Sequence, residues 1–308
     1  MSSLRAVFVD ASPVLAQTMR ALHQHTDIPV HINENEDVTP EELPTLLGDA
    51  RIMLVDHTSV PTEIAKQCPG LRDIVFLGTG AASYMNIDEL AGMGIRVHLI
   101  RGYGDTAVAE CAFALMWTAA KEVAFMDREM RAGNWQRTDV MQLTGKTLGL
   151  LGLGGIGKEM ARLALGVGMR VIAWNRTPRE CEGVTFVDSI EELISGCHVL
   201  SLHLLLSDET RGILNRERLA MFRPGAILVN TARGALIDEE ALIDALRSGP
   251  LLHGAFDVFA VEPLPADHPF TTMPNVTLSA HSAFRTPEAS NNLIEASLQH
   301  CRNIAAQA

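Results

Sequence analysis

Short apolar runs and helical spacings alternate along nearly the whole of this 308-residue chain. In the first third, runs at residues 6–9, 52–55, 74–77 and 95–98 read as strands, with helical patterns at 14–25, 61–67 and 87–91. Pro61 suits the first turn of a helix, and the neighbourhoods of Gly70 and Gly94 suit helix ends. One long helical pattern covers 105–131 and stops at Gly133-Asn134. A second alternating series opens at Gly145-Lys146, with strands at 147–151, 170–174, 184–187, 199–202, 226–229, 252–256 and 276–279. Helices fit between most of these, including 238–247, which Asp238 can cap. Residues 287–308 read as a helix with no strand after it. Strands that alternate with helices in this way predict an α/β chain with parallel sheets and helical crossovers. The order predicts one domain of residues 100–286 inserted between two pieces of another, 1–99 and 287–308.

Composition narrows what such a chain can do. The formal net charge is −12, from 37 acidic against 25 basic residues. Nucleic acid or an anionic membrane would be repelled by that surface unless a basic patch intervened, and no run of Lys and Arg supplies one. An anionic ligand must then be held by a few placed groups. Cys68, Cys111, Cys181, Cys197 and Cys301 are scattered and never in C-x-x-C spacing, which predicts reduced thiols in a cytoplasmic protein and no metal centre. The segment from Leu4 to Asp10 has no basic lead-in and does not read as a signal peptide. The most apolar helical stretch, 106–120, is interrupted by Glu110 and too short to span a bilayer, so it reads as a buried helix.

The strongest local motif is Gly152-Leu153-Gly154-Gly155-Ile156-Gly157, directly after an apolar strand and opening a helical run. That is the setting of a dinucleotide fingerprint. One glycine makes the tight turn, the next lets backbone approach the pyrophosphate, and the last lets helix and strand pack closely. The helix N-terminus then offers free N–H groups and partial positive charge to the phosphates. The following strand leads to Asn175-Arg176-Thr177, with no acid at 174–178. An acid there would bond the ribose hydroxyls of NAD, whereas a cation accommodates the extra phosphate of NADP. Arg176, flanked by Asn175 and Thr177, therefore predicts NADP, with NAD as the alternative.

Three later strand ends each present one polar residue able to do chemistry: Arg233, Glu262 and His281. Singly, they read as a surface ion pair, a turn residue before a proline and a satisfied loop histidine. Jointly, downstream of a glycine loop and at the carboxyl ends of parallel strands, they predict a hydride-transfer site.

Taken together, these segments resemble the D-isomer-specific 2-hydroxyacid dehydrogenases, in particular the glyoxylate and hydroxypyruvate reductase-like branch. The matching pieces are Gly145-Lys146-Thr147-Leu148-Gly149 before the glycine loop, Asp208-Glu209-Thr210, Asn230-Thr231-Ala232-Arg233-Gly234, Asp257-Val258-Phe259, Glu262-Pro263 and His281. The resemblance implies a Rossmann cofactor domain inserted in a flavodoxin-like substrate domain, and a homodimer. It implies that Arg233 holds the carboxylate of a small 2-keto or 2-hydroxy acid and polarises its keto oxygen. His281 would protonate that oxygen as hydride arrives, and Glu262 would bond His281, orient it and favour its charged form. Asp257 would bond the nicotinamide carboxamide. Thr106, His203, Leu204, Thr231 and Ala232 would complete the cofactor site. Glu262 also argues against the formate dehydrogenase branch.

Two departures from the family pattern stand out. The loop implied to bind the substrate carboxylate, through Thr79, Gly80, Ala81 and Ala82, is longer by about three residues than the family's usual turn. Leu205 stands where the family generally has proline. Two other readings stay open. One is a D-3-phosphoglycerate dehydrogenase-like enzyme, although the short C-terminus leaves no room for a regulatory domain and no basic cluster awaits a substrate phosphate. The other is a dinucleotide-sensing corepressor-like binding protein, although no recruitment segment or basic patch is present.

Overall fold

A computed structural model describes residues 4–177 and 180–307 and resolves the alternation into two separate parallel sheets. The chain divides into one unit of Met1–Gly104 with Arg285–Ala308, and a second of Asp105–Phe284.

The first unit runs β1 (Ala6–Phe8), α1 (Pro13–Leu22), β2 (Val30–Ile32), α2 (Leu43–Leu47), β3 (Ile52–Val55), α3 (Thr62–Ala65), β4 (Asp73–Phe76), α4 (Ile87–Gly92) and β5 (Arg96–Leu99). The last helix of the chain, α11 (Pro287–Ala306), completes it, and Ala308 lies outside the described residues. The five strands take the order β2-β1-β3-β4-β5, the flavodoxin-like arrangement, with every pair parallel. Successive side chains of a strand point to opposite faces. Val7, Met53, Val55 and Ile74 accordingly pack with Leu43, Leu47 and Leu90, whereas Phe8, Ile52, Leu54 and Val75 pack with Met19, Leu293, Ile294 and Leu298. Both faces are covered, so β1 and β3 are apolar at every position, and β4 is apolar after Asp73.

Strand β2 went unread in the sequence. It is an edge strand of only three residues, with half-buried Val30 and Ile32 on either side of exposed His31, so its apolar run is too short to stand out. Helix α11 begins with Thr286 accepting a bond from Ala289 N at 3.1 Å, and Arg302 grips Asp27 through two bonds of 2.7 and 3.0 Å. Those bonds hold the Asp27 carboxyl down at about 2, against the opposing effect of its burial.

The second unit runs α5 (Asp105–Ala120), α6 (Val123–Arg131), β6 (Thr147–Leu151), α7 (Gly155–Gly166), β7 (Arg170–Trp174), β8 (Val184–Phe186), α8 (Ile190–Gly196), β9 (Val199–Leu202), α9 (Arg216–Ala220), β10 (Ala226–Asn230), α10 (Glu239–Arg247), β11 (Leu251–Phe256) and β12 (Val276–Leu278). Its seven strands take the order β12-β11-β10-β9-β6-β7-β8. The strand order reverses between β6 and β9, the position at which doubly wound sheets bind dinucleotides. The single helix expected over 105–131 is two, because the chain breaks at Glu122, whose φ of 49° is left-handed. Neither glycine nor proline marks that break, and the helical period runs through it. Helix α5 is buried along Ala109, Ala112, Met116 and Ala119, as its apolar pattern suggested, whereas α6 buries nothing.

Candidate active site

The glycine loop leaves β6 under steric orders. Gly152 has a φ of 102°, and a Cβ there would lie 2.7 Å from the His203 carbonyl oxygen. A Cβ at Gly157 would lie 2.5 Å from the Gly152 carbonyl oxygen, so α7 can pack on the turn only without a side chain. At Gly154 the space is open within 4 Å, and this N-cap residue offers no side chain to the first amides of α7. Gly155 and Ile156 follow in the first turn, with Gly155 exposed and Ile156 half-buried. Free amides, an open cradle and a helix N-terminus fit a dinucleotide pyrophosphate. A Cβ at Gly155 would overlap the Asp105 carboxylate, which burial, and then the charge of Glu159, push above the usual carboxylate range.

The loops on either side of this turn are pinned to it. Asn175 Oδ1 accepts from Leu153 N at 3.3 Å, and Asn175 Nδ2 donates to the Thr177 carbonyl at 2.7 Å. On the other side His203 N donates to Leu151 O at 2.9 Å, and Leu204 packs beside Gly152. The His203 ring bonds Ser201 Oγ at 2.9 Å, and burial of the ring holds it neutral with a pKa of about 4. Arg176 reaches across to Glu209, Nη1 to Oε2 at 2.8 Å. An acid thus stands near Arg176 after all, supplied by the loop after β9, and no local spacing could have shown it. Thr106 is exposed at the start of α5, beside Asp105.

The three candidate catalytic residues leave three adjacent strands, β10, β11 and β12. Asn230, buried at the end of β10, donates to the Arg233 carbonyl and accepts from Ala232 N, both at 2.9 Å, and so fixes the turn that presents Arg233. Within that turn the Thr231 hydroxyl is buried without a hydrogen-bond partner. A Cβ at Gly234 would overlap the Phe259 carbonyl, so the Arg233 turn lies hard against the loop carrying Glu262. Glu262 Oε1 accepts from Phe259 N at 2.8 Å, and its Oε2 meets His281 Nδ1 at 2.6 Å. Burial raises the Glu262 carboxyl, but the bonds from His281 and Phe259, with the charges of His281 and Arg233, outweigh it and hold the group below the usual range.

His281 has a φ of 49°, a left-handed backbone that a non-glycine residue adopts at a cost. Buried Asp257 secures it: its carbonyl accepts from His281 N at 2.8 Å, and its carboxylate oxygens accept from Ser282 N and Ala283 N, each at 3.0 Å. The structure therefore brings Arg233, Glu262 and His281 together at one sheet edge and adds Asn230 and Asp257 as their supports.

Thr79, Gly80, Ala81 and Ala82 lie in the first unit, after β4. Gly80 caps a single 3-10 turn at Ala81–Ser83, with Ala81 buried and Thr79 and Ala82 exposed. The loop runs on to Asn86, whose side chain accepts from Glu89 N at 3.2 Å and starts α4. Leu205 is 71% exposed in a loop that Thr210 closes by donating to the Leu205 carbonyl at 2.7 Å.

The model of the D-isomer specific 2-hydroxyacid dehydrogenase NAD binding domain matches residues 113–283. A hydroxypyruvate reductase of Blautia hydrogenotrophica is 31% identical over 266 residues, covering 83% of this chain and 82% of that protein. A glyoxylate reductase of Aeropyrum pernix is 34% identical over 293 residues, covering 89% and 85% respectively. Among solved structures, an acyclic imino acid reductase in complex with NADPH and D-Arg superposes with a TM-score of 0.87 at 26% identity, over 99% of this chain and 98% of that one.

Proposed function

Because this chain belongs to the D-isomer specific 2-hydroxyacid dehydrogenases, NAD(P)-dependent oxidoreductases, we propose that it reduces glyoxylate or hydroxypyruvate with NADPH, using Arg233, Glu262 and His281. The observation that carries the catalytic assignment is the 2.6 Å contact between His281 Nδ1 and Glu262, made by a histidine held in a left-handed backbone. The nicotinamide, when bound, supplies the hydride. Arg233 presents a planar guanidinium, which matches a carboxylate through two parallel bonds and polarises the neighbouring keto oxygen. With Nδ1 committed to Glu262, His281 has Nε2 as the atom that delivers the proton to that oxygen. Glu262 is ionised across the neutral range, so it supports the imidazolium and fixes the ring.

The open cradle at Gly154 and the free first turn of α7 support the dinucleotide assignment. The unpartnered Thr231 hydroxyl suits a donor or acceptor on the cofactor, with Ala232 beside it. Asp257 retains lone pairs beyond the two amides it accepts, so it can also take the carboxamide. The choice of NADPH rests on Arg176, in a position where no acid follows β7. The same reading makes the protein a homodimer, which sedimentation of the purified chain checks.

A panel of 2-keto acids assayed with NADPH and NADH in parallel tests the proposal. The expected result is highest kcat/KM for glyoxylate or hydroxypyruvate with NADPH. A clear preference for NADH removes the cofactor assignment, and turnover confined to larger keto acids removes the substrate assignment.

A further inference from the structure

The Arg176–Glu209 pair has a place in the sheet that its exposed position alone would not suggest. Arg176 follows β7 and Glu209 follows β9, and β6 lies between those two strands. Neighbouring strands stand about 4.8 Å apart, so the two loops rise from stems roughly 10 Å apart on opposite flanks of the glycine turn. Both stems are fixed. Asn175 bonds the turn itself, while Ser207 N donates to Thr210 Oγ1 at 2.8 Å and closes the loop around Glu209. The ion pair therefore spans the groove above Gly152–Gly157, where the adenosine half of a dinucleotide lies in a sheet of this order.

We propose that Glu209 is a specificity-determining residue, which sets the balance between NADPH and NADH by competing with the ribose 2′-phosphate for Arg176. The inference rests on the reading that Arg176 receives that phosphate. Both side chains are largely exposed, 82% for Arg176 and 74% for Glu209, so solvent screens the pair and a ligand displaces it cheaply. A phosphate dianion offers more acceptors and more charge than one carboxylate and wins the guanidinium. It does so at the cost of the Arg176–Glu209 contact, which must break first. A ribose with a free 2′-hydroxyl meets the opposite situation. Glu209 accepts a hydrogen bond from that hydroxyl while staying paired with Arg176, in the role that an acid at the end of β7 fills elsewhere. Arg176 and Glu209 thus pull the preference in opposite directions from one contact.

Calorimetric titration with adenosine 2′,5′-bisphosphate and adenosine 5′-monophosphate separates these effects without turnover. In Glu209→Gln the bisphosphate should bind roughly two- to tenfold tighter, the scale of an exposed ion pair removed, while the monophosphate binds no tighter than before. Arg176→Ala should weaken the bisphosphate selectively, and adding Glu209→Gln to it should change nothing further, because the competition has lost its object. Melting temperatures of the Gln variant within about two degrees of the parent confirm an intact fold. If Arg176→Ala loses the bisphosphate but Glu209→Gln leaves it unchanged or weaker, Glu209 has no such role and the NADPH reading stands. If Arg176→Ala binds the bisphosphate as the parent does, the NADPH reading falls and this proposal with it.

Discussion

His281 occupies a backbone region that suits glycine or asparagine, and three contacts from Asp257 hold its loop there. One substitution separates its chemistry from its conformation. His281→Asn keeps a side chain tolerant of that backbone, so the melting temperature should hold while keto-acid turnover falls by about two to four orders of magnitude. A variant that keeps most of its turnover would mean that the proton comes from another group. Glu262 gives the pH dependence its sign. Its folded carboxyl lies below the usual range, so its support for His281 is present at neutral pH and is lost as pH falls through that depressed value. Glu262→Gln should abolish this acid-side loss, lower turnover throughout, and add little to the defect of His281→Ala. Arg233, Glu262, His281 and the glycines could be found in the sequence because each sits at a strand end in a recurrent short motif. Asn230 stood in the same motif as Arg233, but its two bonds exist only once that turn closes, and the part played by Glu209 could not be assigned that way, since its partner is set by strand order.

At the level of elements, two joints govern the site. Gly234 lies so close to the Phe259 carbonyl that the Arg233 turn and the Glu262 loop fit together only without a Cβ. Gly234→Ala should cost about 2–4 kcal/mol in denaturant unfolding, or distort the site enough to cut kcat/KM more than a hundredfold. Neither effect would show that the two loops move apart freely. The break between α5 and α6 is held by a left-handed Glu122. Glu122→Gly should leave stability unchanged or raise it by up to about 1 kcal/mol, whereas Glu122→Val should lower it by about 1–2 kcal/mol. Equal melting temperatures for the two variants would place the strain elsewhere. Core strands such as Ile52–Val55 and Thr147–Leu151 were readable because full burial makes them nearly continuous apolar runs. Strand Val30–Ile32 was not, because at the sheet edge it is only three residues long and broken by exposed His31.

Across the whole molecule, histidines pull stability in opposite directions with pH, and His203, its ring kept neutral by burial down to about 4, adds to the acid side. His253 in β11 is buried, bonded to Thr277 at 2.9 Å, and driven down to about 4 by burial and then by the charge of Arg128. The unfolded chain binds that proton more readily, so stability declines as pH falls from about 6.5 to about 4. His57 is raised to about 9, chiefly by its bond to Asp56 and, against burial, by the charge of Asp10. Its contribution is complete below about 6.5 and disappears as pH rises through about 9. Melting temperature against pH should therefore peak near neutrality, with His253→Gln flattening the acid limb and His57→Gln the alkaline one. A profile that neither substitution alters would assign those limbs to other groups.

Helix α11 closes one face of the first sheet with Leu293, Ile294, Leu298, Cys301 and Ile304, yet it follows the entire second unit in the chain. A ribosome therefore releases β1 to β5 long before that cover exists. During that interval only α1, through Leu15, Ala16 and Met19, covers the face of Phe8, Ile52, Leu54 and Val75, while the intervening segment, Asp105–Phe284, is already complete. The nascent protein should mature from its middle outward, with the N-terminal sheet waiting for α11 to be made.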